Sequence, residues 1–123
     1  MTERPLIVLA PRMLLVRNRL ALQTHVLDRF DEGRGDLVVS LEQTHYVDSS
    51  GMGMLVGLHR KIVRESAGSL RLCAVNGDLR TLFAVTRLDE RLKIDDHVEG
   101  ERDPWAAPDG WGAEALAALA VAG

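Results

Sequence analysis

Short apolar runs that alternate with amphipathic helical segments are the feature of this sequence that most limits its fold. The runs at residues 6–9, 37–41 and 70–75 are apolar enough to form strands in the interior of a sheet. Two such strands can pair in parallel only through a crossover, and the helical pattern of residues 17–30 supplies one between the first two runs. The sequence therefore predicts a single α/β domain with a mixed sheet of four to five strands and three to four helices.

The first helical segment has an apolar and a polar side. Leu20 and Leu27 line up on the apolar side at helical spacing, and His25, Asp28 and Arg29 fall on the opposite side. This arrangement predicts a helix that packs on the sheet through one side only.

The remaining elements follow from caps and helix-ending residues. A second helical pattern follows the Asp-Ser-Ser-Gly segment at 48–51 and ends at Gly68, a good C-terminal residue. Asn76 is a good N-cap for a third helix, and a short strand is predicted around residues 92–94.

The end of the chain changes in composition. We predict a domain of residues 1–98, on which residues 99–123 dock as a loop rich in Pro, Gly and Trp followed by an Ala-rich helix at 113–121. Trp105 and Trp111 are expected to lie over the core, with an interface anchor as the alternative role.

Composition excludes several classes of protein. The 123 residues suit one domain, and 15 Lys+Arg against 18 Asp+Glu give a formal net charge of -3, which argues against a direct nucleic-acid partner. The sequence has no apolar stretch long enough to span a membrane and no signal-peptide pattern, so we expect a cytoplasmic protein without membrane attachment. Cys73 lies alone in an apolar run and is predicted to be a core residue.

No constellation of acid, base and nucleophile can be assembled from the sequence. His45 has no second metal ligand at suitable spacing, and the Asp95-Asp96-His97 run lies in a stretch with many acids that is typical of a solvated loop. Ser49 lacks the Gly-x-Ser-x-Gly pattern of a hydrolase nucleophile. We therefore expect a protein that is not an enzyme and has no metal or other cofactor.

The segment 46–54 is the most informative part of the sequence. It places two hydroxyls and a carboxylate between an extended segment and the start of a helix. A Ser or Asp at this junction can cap the helix by accepting a bond from its free N–H groups. A phosphoacceptor is the functional alternative, because a phosphate there would face those amides and the positive end of the helix dipole.

The stretch from about residue 36 to residue 89 resembles the STAS domain of bacterial anti-sigma factor antagonists. The most specific mark is the Asp-Ser-Ser-Gly-Met-Gly segment at 48–53, and the stretch ends in Thr-Arg-Leu-Asp at 86–89, where the family usually has Thr-Gly-Leu-Asp. The order of the other predicted elements agrees with this family.

The resemblance implies a partner switch. The family's phosphorylated residue is the serine directly after the aspartate, which here is Ser49, with Ser50 as the alternative. The unmodified protein would bind a serine-kinase anti-sigma factor and so free the sigma factor; phosphorylation by that kinase would end the interaction, and a serine phosphatase would reset it. The residues expected at the partner surface are Asp48, Ser49, Ser50 and Gly51. Met52 and Met54 are added from their place beside Ser49, with a position in the core as their alternative.

Two departures from the family pattern favour a second hypothesis. Leu14 stands where the family usually has an aspartate that meets the kinase, and Arg87 replaces the glycine that usually ends the third helix. The alternative is a STAS scaffold that does not switch, either in a stress-sensing assembly or as an accessory subunit of a transporter ATPase.

Overall fold

The computed structural model describes residues 4–65 and 68–106, and all statements below concern these residues. The strands are β1 Leu6–Leu9, β2 Met13–Leu14, β3 Asp36–Ser40, β4 Tyr46–Val47, β5 Ser69–Cys73, β6 Ile94–Asp95 and β7 Glu101–Arg102. The helices are α1 Arg19–Asp31, α2 Ser49–Glu65, α3 Gly77–Val85 and the short 3-10 helix η1 Leu88–Glu90.

Five strands form one sheet in the order β6-β5-β3-β1-β7. The predicted α/β class is confirmed, but every described strand pair is parallel, so the sheet is not mixed. The register of β1 on β3 pairs Leu6 with Leu37, and that of β3 on β5 pairs Leu37 with Leu70. The parallel arrangement follows from α1 and α2, each of which returns the chain to the same end of the sheet.

The two faces of the sheet bury different amounts of apolar surface. Leu6, Leu37 and Leu70 face the large core that lies under the helices. Alternate residues, Ile7 and Val38, face a smaller cluster on the other side, as the two-residue period of a strand requires.

Cys73 belongs to the smaller cluster, together with Val98. Burial raises the pKa of the Cys73 thiol, which is 5% exposed as a residue. The prediction that Cys73 is a core residue is confirmed.

A separate two-stranded parallel sheet lies beside the main one. It pairs Met13 of β2 with Tyr46 of β4 and Leu14 with Val47, and Leu14 and Val47 are both buried. Only Asp48 separates β4 from the first residue of α2, so this small sheet fixes where that helix begins.

The ends of α3 show one good cap and one strained residue. The Asn76 Oδ1 accepts the Leu79 N–H at 2.9 Å, which confirms the predicted N-cap. At the other end, Arg87 has φ of +61°, a left-handed conformation that glycine adopts more easily. This is the position where the resemblance places a glycine.

Part of the predicted polar side of α1 is covered by residues 103–105, although Asp28 is exposed. The His25 Nε2 lies 2.7 Å from the Asp103 Oδ2, and the Arg29 Nε donates to the same oxygen at 2.9 Å. The His25 ring also stacks on Trp105, with ring centroids 4.3 Å apart. These contacts cover His25 and Arg29, whereas Leu20 from the expected apolar side is 55% exposed.

Residues 101–103 pair with strand β1, although the sequence predicts a loop there. The predicted loop contains β7, whose Glu101 N–H donates to the Pro5 carbonyl at 2.8 Å, and the Asp103 N–H donates to the Ile7 carbonyl at 2.9 Å. Trp105 packs against the main core, in agreement with the prediction for that residue. Trp111 and the helix predicted at 113–121 lie outside the described residues.

Removing the Asp103 charge should destabilise the fold. In Asp103→Asn, Arg29 and His25 lose a carboxylate whose side chain is 1% exposed. We expect the free energy of unfolding to fall by roughly 1–3 kcal/mol, as for other buried charged hydrogen bonds that lose one partner. Urea unfolding measures this, and Glu101→Gln, which removes an exposed charge paired with Arg34, should change stability by less than ~0.5 kcal/mol.

The lowered pKa of Asp103 predicts that Asp103→Asn and the unsubstituted protein differ in how their stability depends on pH. Burial raises the pKa of the Asp103 carboxyl, but hydrogen bonds from Arg29, the Trp105 N–H and the His25 ring outweigh it and hold the pKa below its usual value. A carboxyl with a lowered pKa stabilises the fold above its unfolded pKa, and this stabilisation is lost as the pH falls through the folded pKa. Between about pH 4 and pH 2, Asp103→Asn should therefore lose less stability than the unsubstituted protein. Equal acid sensitivity of the two proteins would contradict this role.

Relieving the strain at Arg87 should stabilise the protein. Arg87→Gly removes the unfavourable left-handed conformation but adds backbone entropy to the unfolded chain, so a net gain of about 0.5–1 kcal/mol is expected. The Arg87–Glu90 ion pair that is lost is exposed. Thermal unfolding of Arg87→Ala, which also loses this pair but keeps the strain, is the matched control and should show no gain.

Candidate functional site

The carboxylate of Asp48 organises the junction between the small sheet and α2. Its Oδ1 accepts the Gly51 N–H at 2.8 Å, and its Oδ2 accepts the Val16 N–H at 3.0 Å. The Asp48 N–H in turn donates to the Leu14 carbonyl at 3.1 Å. Asp48 is therefore the N-cap of α2 and also fastens the segment after β2 to that helix.

The two serines after Asp48 do not cap α2 with their side chains. Ser49 is the first residue of α2 and is exposed, and Ser50 is half-buried. Neither hydroxyl hydrogen-bonds to another residue in the described part of the chain. The cap proposed as a role for a serine or an aspartate is thus supplied by Asp48, and both serine oxygens remain available for other chemistry.

The serines open onto different grooves on either side of α2. Ser49 lines a groove of about 430 Å³ together with Arg60 and Arg91. Ser50 lines a second groove of about 480 Å³ together with Arg19 and Lys61. Consecutive helical residues point about 100° apart, so a phosphate on one serine would meet different neighbours from a phosphate on the other.

Gly51 and Met54, two of the residues expected at the partner surface, lie in the interior. A Cβ on Gly51 would lie 2.9 Å from the Leu14 carbonyl oxygen and 3.0 Å from the Val47 Cγ1. Met54 is 6% exposed and belongs to the main core. Both residues fall on the buried side of α2, and Met54 lines the Ser50 groove with the small part of its side chain that is exposed.

The other predicted residues lie nearer the surface. Ser49 is exposed, whereas Asp48, Ser50 and Met52 are partly buried. Met52 packs against the core and also lines the Ser49 groove, where its sulfur lies 3.8 Å from the Thr86 Oγ1.

Leu14, the residue in place of the family's aspartate, is 0% exposed. It lies in β2 beneath Gly51, and its carbonyl accepts the Asp48 N–H. This position therefore contributes to the core, and no side chain from it reaches the surface.

Exposed apolar side chains near the junction are the site feature that sequence reasoning missed. Val16, Leu20 and Tyr46 are 54%, 55% and 52% exposed. Val16 is bonded through its N–H to Asp48, and Tyr46 lies two residues before Asp48 in β4. The available signal was weak, because all three belong to apolar patterns that equally predict burial.

The acidic residues considered for metal binding are engaged elsewhere. Asp95 pairs with Arg71 and Asp96 with Arg80, and the described residues contain no group of three or more His, Cys, Asp or Glu side chains arranged to hold a metal ion. His45 is exposed. No helix in the described part of the chain combines the length and apolar character that crossing a membrane requires.

Comparison with known proteins gives consistent matches. The family model of the STAS domain matches residues 2–100. The anti-sigma-B factor antagonist of Bacillus subtilis is 36% identical over 69 residues, which are 56% of this chain and 62% of that protein. The anti-sigma-B factor antagonist of Staphylococcus aureus (strain NCTC 8325 / PS 47) is 30% identical over 70 residues, 57% of this chain and 64% of that protein. The matched region thus spans less than two thirds of either relative.

Solved structures share the fold. The NMR structure of the protein TM1081 has a TM-score of 0.66 at 23% identity and covers 73% of this chain and 72% of its own. The Bacillus cell fate determinant SpoIIAA in the phosphorylated form has a TM-score of 0.57 at 17% identity, with 97% of this chain and 95% of that chain covered.

Two glycines of α2 should respond in opposite ways to the same substitution. In Gly51→Ala, the new methyl group would press on Leu14 and Val47, and we expect a loss of about 1–3 kcal/mol in the free energy of unfolding. At Gly53 a Cβ meets nothing within 4 Å, so Gly53→Ala should gain up to ~1 kcal/mol from helix propensity. Urea unfolding of both variants tests whether α2 packs closely against Leu14 and Val47 at Gly51. Equal changes in the free energy of unfolding of the two variants would contradict this packing.

Proposed function

The chain belongs to the STAS domain family, and from this premise we propose that it is an anti-sigma factor antagonist controlled by phosphorylation of Ser49. In its unphosphorylated form it binds a serine-kinase anti-sigma factor, which then releases its sigma factor. Phosphorylation by the same kinase ends the interaction, and a serine phosphatase restores it. The observation that carries the proposal is an exposed, uncapped Ser49 hydroxyl at the first position of α2, directly after the Asp48 cap.

The position of Ser49 suits a phosphate without unfolding of the protein. The first turn of a helix keeps backbone N–H groups outside the helical hydrogen-bond ladder, and the helix dipole is positive at that end. A phosphoserine carries about -1.5 to -2 charges at neutral pH. Because Asp48 caps the helix through its own carboxylate, modification of Ser49 removes no hydrogen bond that holds the junction together.

The surroundings of Ser49 explain how a phosphate would end an interaction. The segments that flank the junction expose Val16 and Tyr46, which suit a partner that buries apolar surface. Such a partner would have to desolvate a hydrated dianion when Ser49 is phosphorylated. Desolvation of an unpaired charge is costly, so the free energy of binding falls although the fold is retained.

A specific observation also favours the second candidate, a STAS scaffold that does not switch. Leu14 is fully buried where family members usually have an aspartate that meets the kinase. A protein without that contact could use the same apolar surface to bind a partner permanently. Incorporation of phosphate at Ser49 by a cognate kinase distinguishes the two functions.

Substitution at Ser49 should reproduce the switch. Ser49→Asp is expected to weaken binding of the anti-sigma factor by at least ~30-fold, because a lost or misplaced polar contact at an interface costs about 2–5 kcal/mol and 1.4 kcal/mol corresponds to a factor of ten. Ser49→Ala should bind normally but resist inactivation. Isothermal titration calorimetry measures the affinities, and thermal unfolding of each variant shows whether it is folded.

Ser50→Ala is the matched control, because Ser50 opens onto the other groove. This variant should bind the anti-sigma factor and still be inactivated by the kinase. Mass spectrometry after incubation with the kinase should place the phosphate on Ser49. Phosphate on Ser50 alone, no phosphate with an active kinase, or full binding by Ser49→Asp would refute the proposed switch.

A further inference from the structure

The groove that begins at Ser49 continues along α2 beyond the junction. Its apolar side chains are Met52 and Val56 of α2 and Leu88 of η1. A neighbouring depression of about 320 Å³ shares Val56 and adds Val63, which is 49% exposed. Together they form a surface, here called the α2–η1 groove, that runs along most of one side of the helix.

Three arginines border the α2–η1 groove. Arg60 and Arg91 line both of its parts, and Arg64 lines the second part. None of the three forms an ion pair with a residue in the ranges 4–65 and 68–106. The groove is therefore positively charged in a protein whose formal net charge is -3.

The acidic side chains of α2 and η1 do not form ion pairs with these arginines. Glu65 of α2 pairs with Lys61 at 2.9 Å, and Glu90 of η1 pairs with Arg87 at 2.7 Å. Asp89 is exposed and does not line the groove. The positive charge beside the apolar side chains is consequently not balanced from within these two elements.

The α2 side of the groove allows another chain to approach closely. Gly53 and Gly57 line it one helical turn apart, and a Cβ at either position would meet nothing within 4 Å. A bound segment can therefore lie against the backbone of α2 between the flanking side chains. Ser49, one turn before Gly53, lies at the end of this open strip.

We propose that the α2–η1 groove docks an acidic segment of a partner protein that also carries apolar side chains, such as one face of an amphipathic helix. Carboxylates of the segment would meet Arg60, Arg64 and Arg91, and its apolar side chains would cover Met52 and Val56. A concave, apolar floor fits a row of side chains better than a lipid surface or a phosphate backbone. The site shares Ser49 with the proposed switch but requires no phosphorylation.

Two synthetic peptides test the docking site on the full chain. One is a 16-residue amphipathic helix with Leu on one face and Glu beside it, and the other has Lys at every Glu position. Fluorescence anisotropy should show the Glu peptide binding at least tenfold more tightly, with the difference shrinking as salt is added. The double variant Arg60→Gln/Arg91→Gln should lose most of this difference.

A control variant with the same change of charge separates the groove from the overall charge. Arg80→Gln/Arg102→Gln removes two arginines that are paired with Asp96 and Glu42 away from the groove, and it should bind the Glu peptide like the unsubstituted chain. Amide chemical shifts should move in α2 and η1 when the peptide binds. Equal binding of the two peptides, or equal losses in both double variants, would overturn the docking site.

The same variants decide between a protein partner and a membrane. If vesicles of phosphatidylglycerol and phosphatidylcholine bound the chain with the same dependence on Arg60 and Arg91, while the peptides did not discriminate, the groove would be a lipid site and the proposal would be wrong. The peptide assay contains no kinase or anti-sigma factor. Its failure is therefore distinguishable from failure of the Ser49 switch, which is measured with the anti-sigma factor and the Ser49 variants.

Discussion

The bridging carboxylate of Asp48 is the interaction on which the candidate site depends. One oxygen caps α2 through the Gly51 N–H, and the other holds the backbone at Val16. A carboxylate can do both because it accepts hydrogen bonds at two oxygens at once. Since the cap comes from the residue before the helix, Ser49 begins α2 with its hydroxyl uncommitted, and this leaves room for a covalent modification that does not disturb the junction.

Close packing beneath this junction gives the site its rigidity. The absence of a side chain at Gly51 lets α2 approach the Leu14 carbonyl oxygen and the Val47 side chain. Protein interiors are packed so tightly that a single added methyl group is felt. The buried side of α2 is thereby held in place, while Ser49 and Gly53 on its other side remain exposed as the floor and edge of the grooves.

The segment at residues 101–106 joins the edge of the main sheet to α1. Strand β7 pairs with β1, and Asp103 binds both His25 and Arg29 of α1. These hydrogen bonds fix α1 against the sheet. Helix α1 in turn lies beside α2 along the groove that contains Ser50. The contacts of Asp103 thus help to position α1, whose residues form one wall of the groove that contains Ser50.

The sequence by itself determined the elements that repeat a local pattern. The buried strands β1, β3 and β5, the helix cap at Asn76 and the Ser49 junction all follow from periodicity and from capping chemistry within a few residues. The alternation of strands and helices was also sufficient for the α/β class, whereas the parallel pairing of every described strand of the main sheet was not predicted.

Only the tertiary structure decided features that join distant or unpatterned residues. Strand β7 consists of two exposed charged residues and exists because the edge of β1 offers free carbonyl groups. The contacts of Asp103 with α1 span more than 70 residues of sequence, and the α2–η1 groove likewise arises only when two separate elements pack together. Local periodicity indicates whether a side chain can be buried. Packing between distant segments decides whether another residue covers that side chain, and which one.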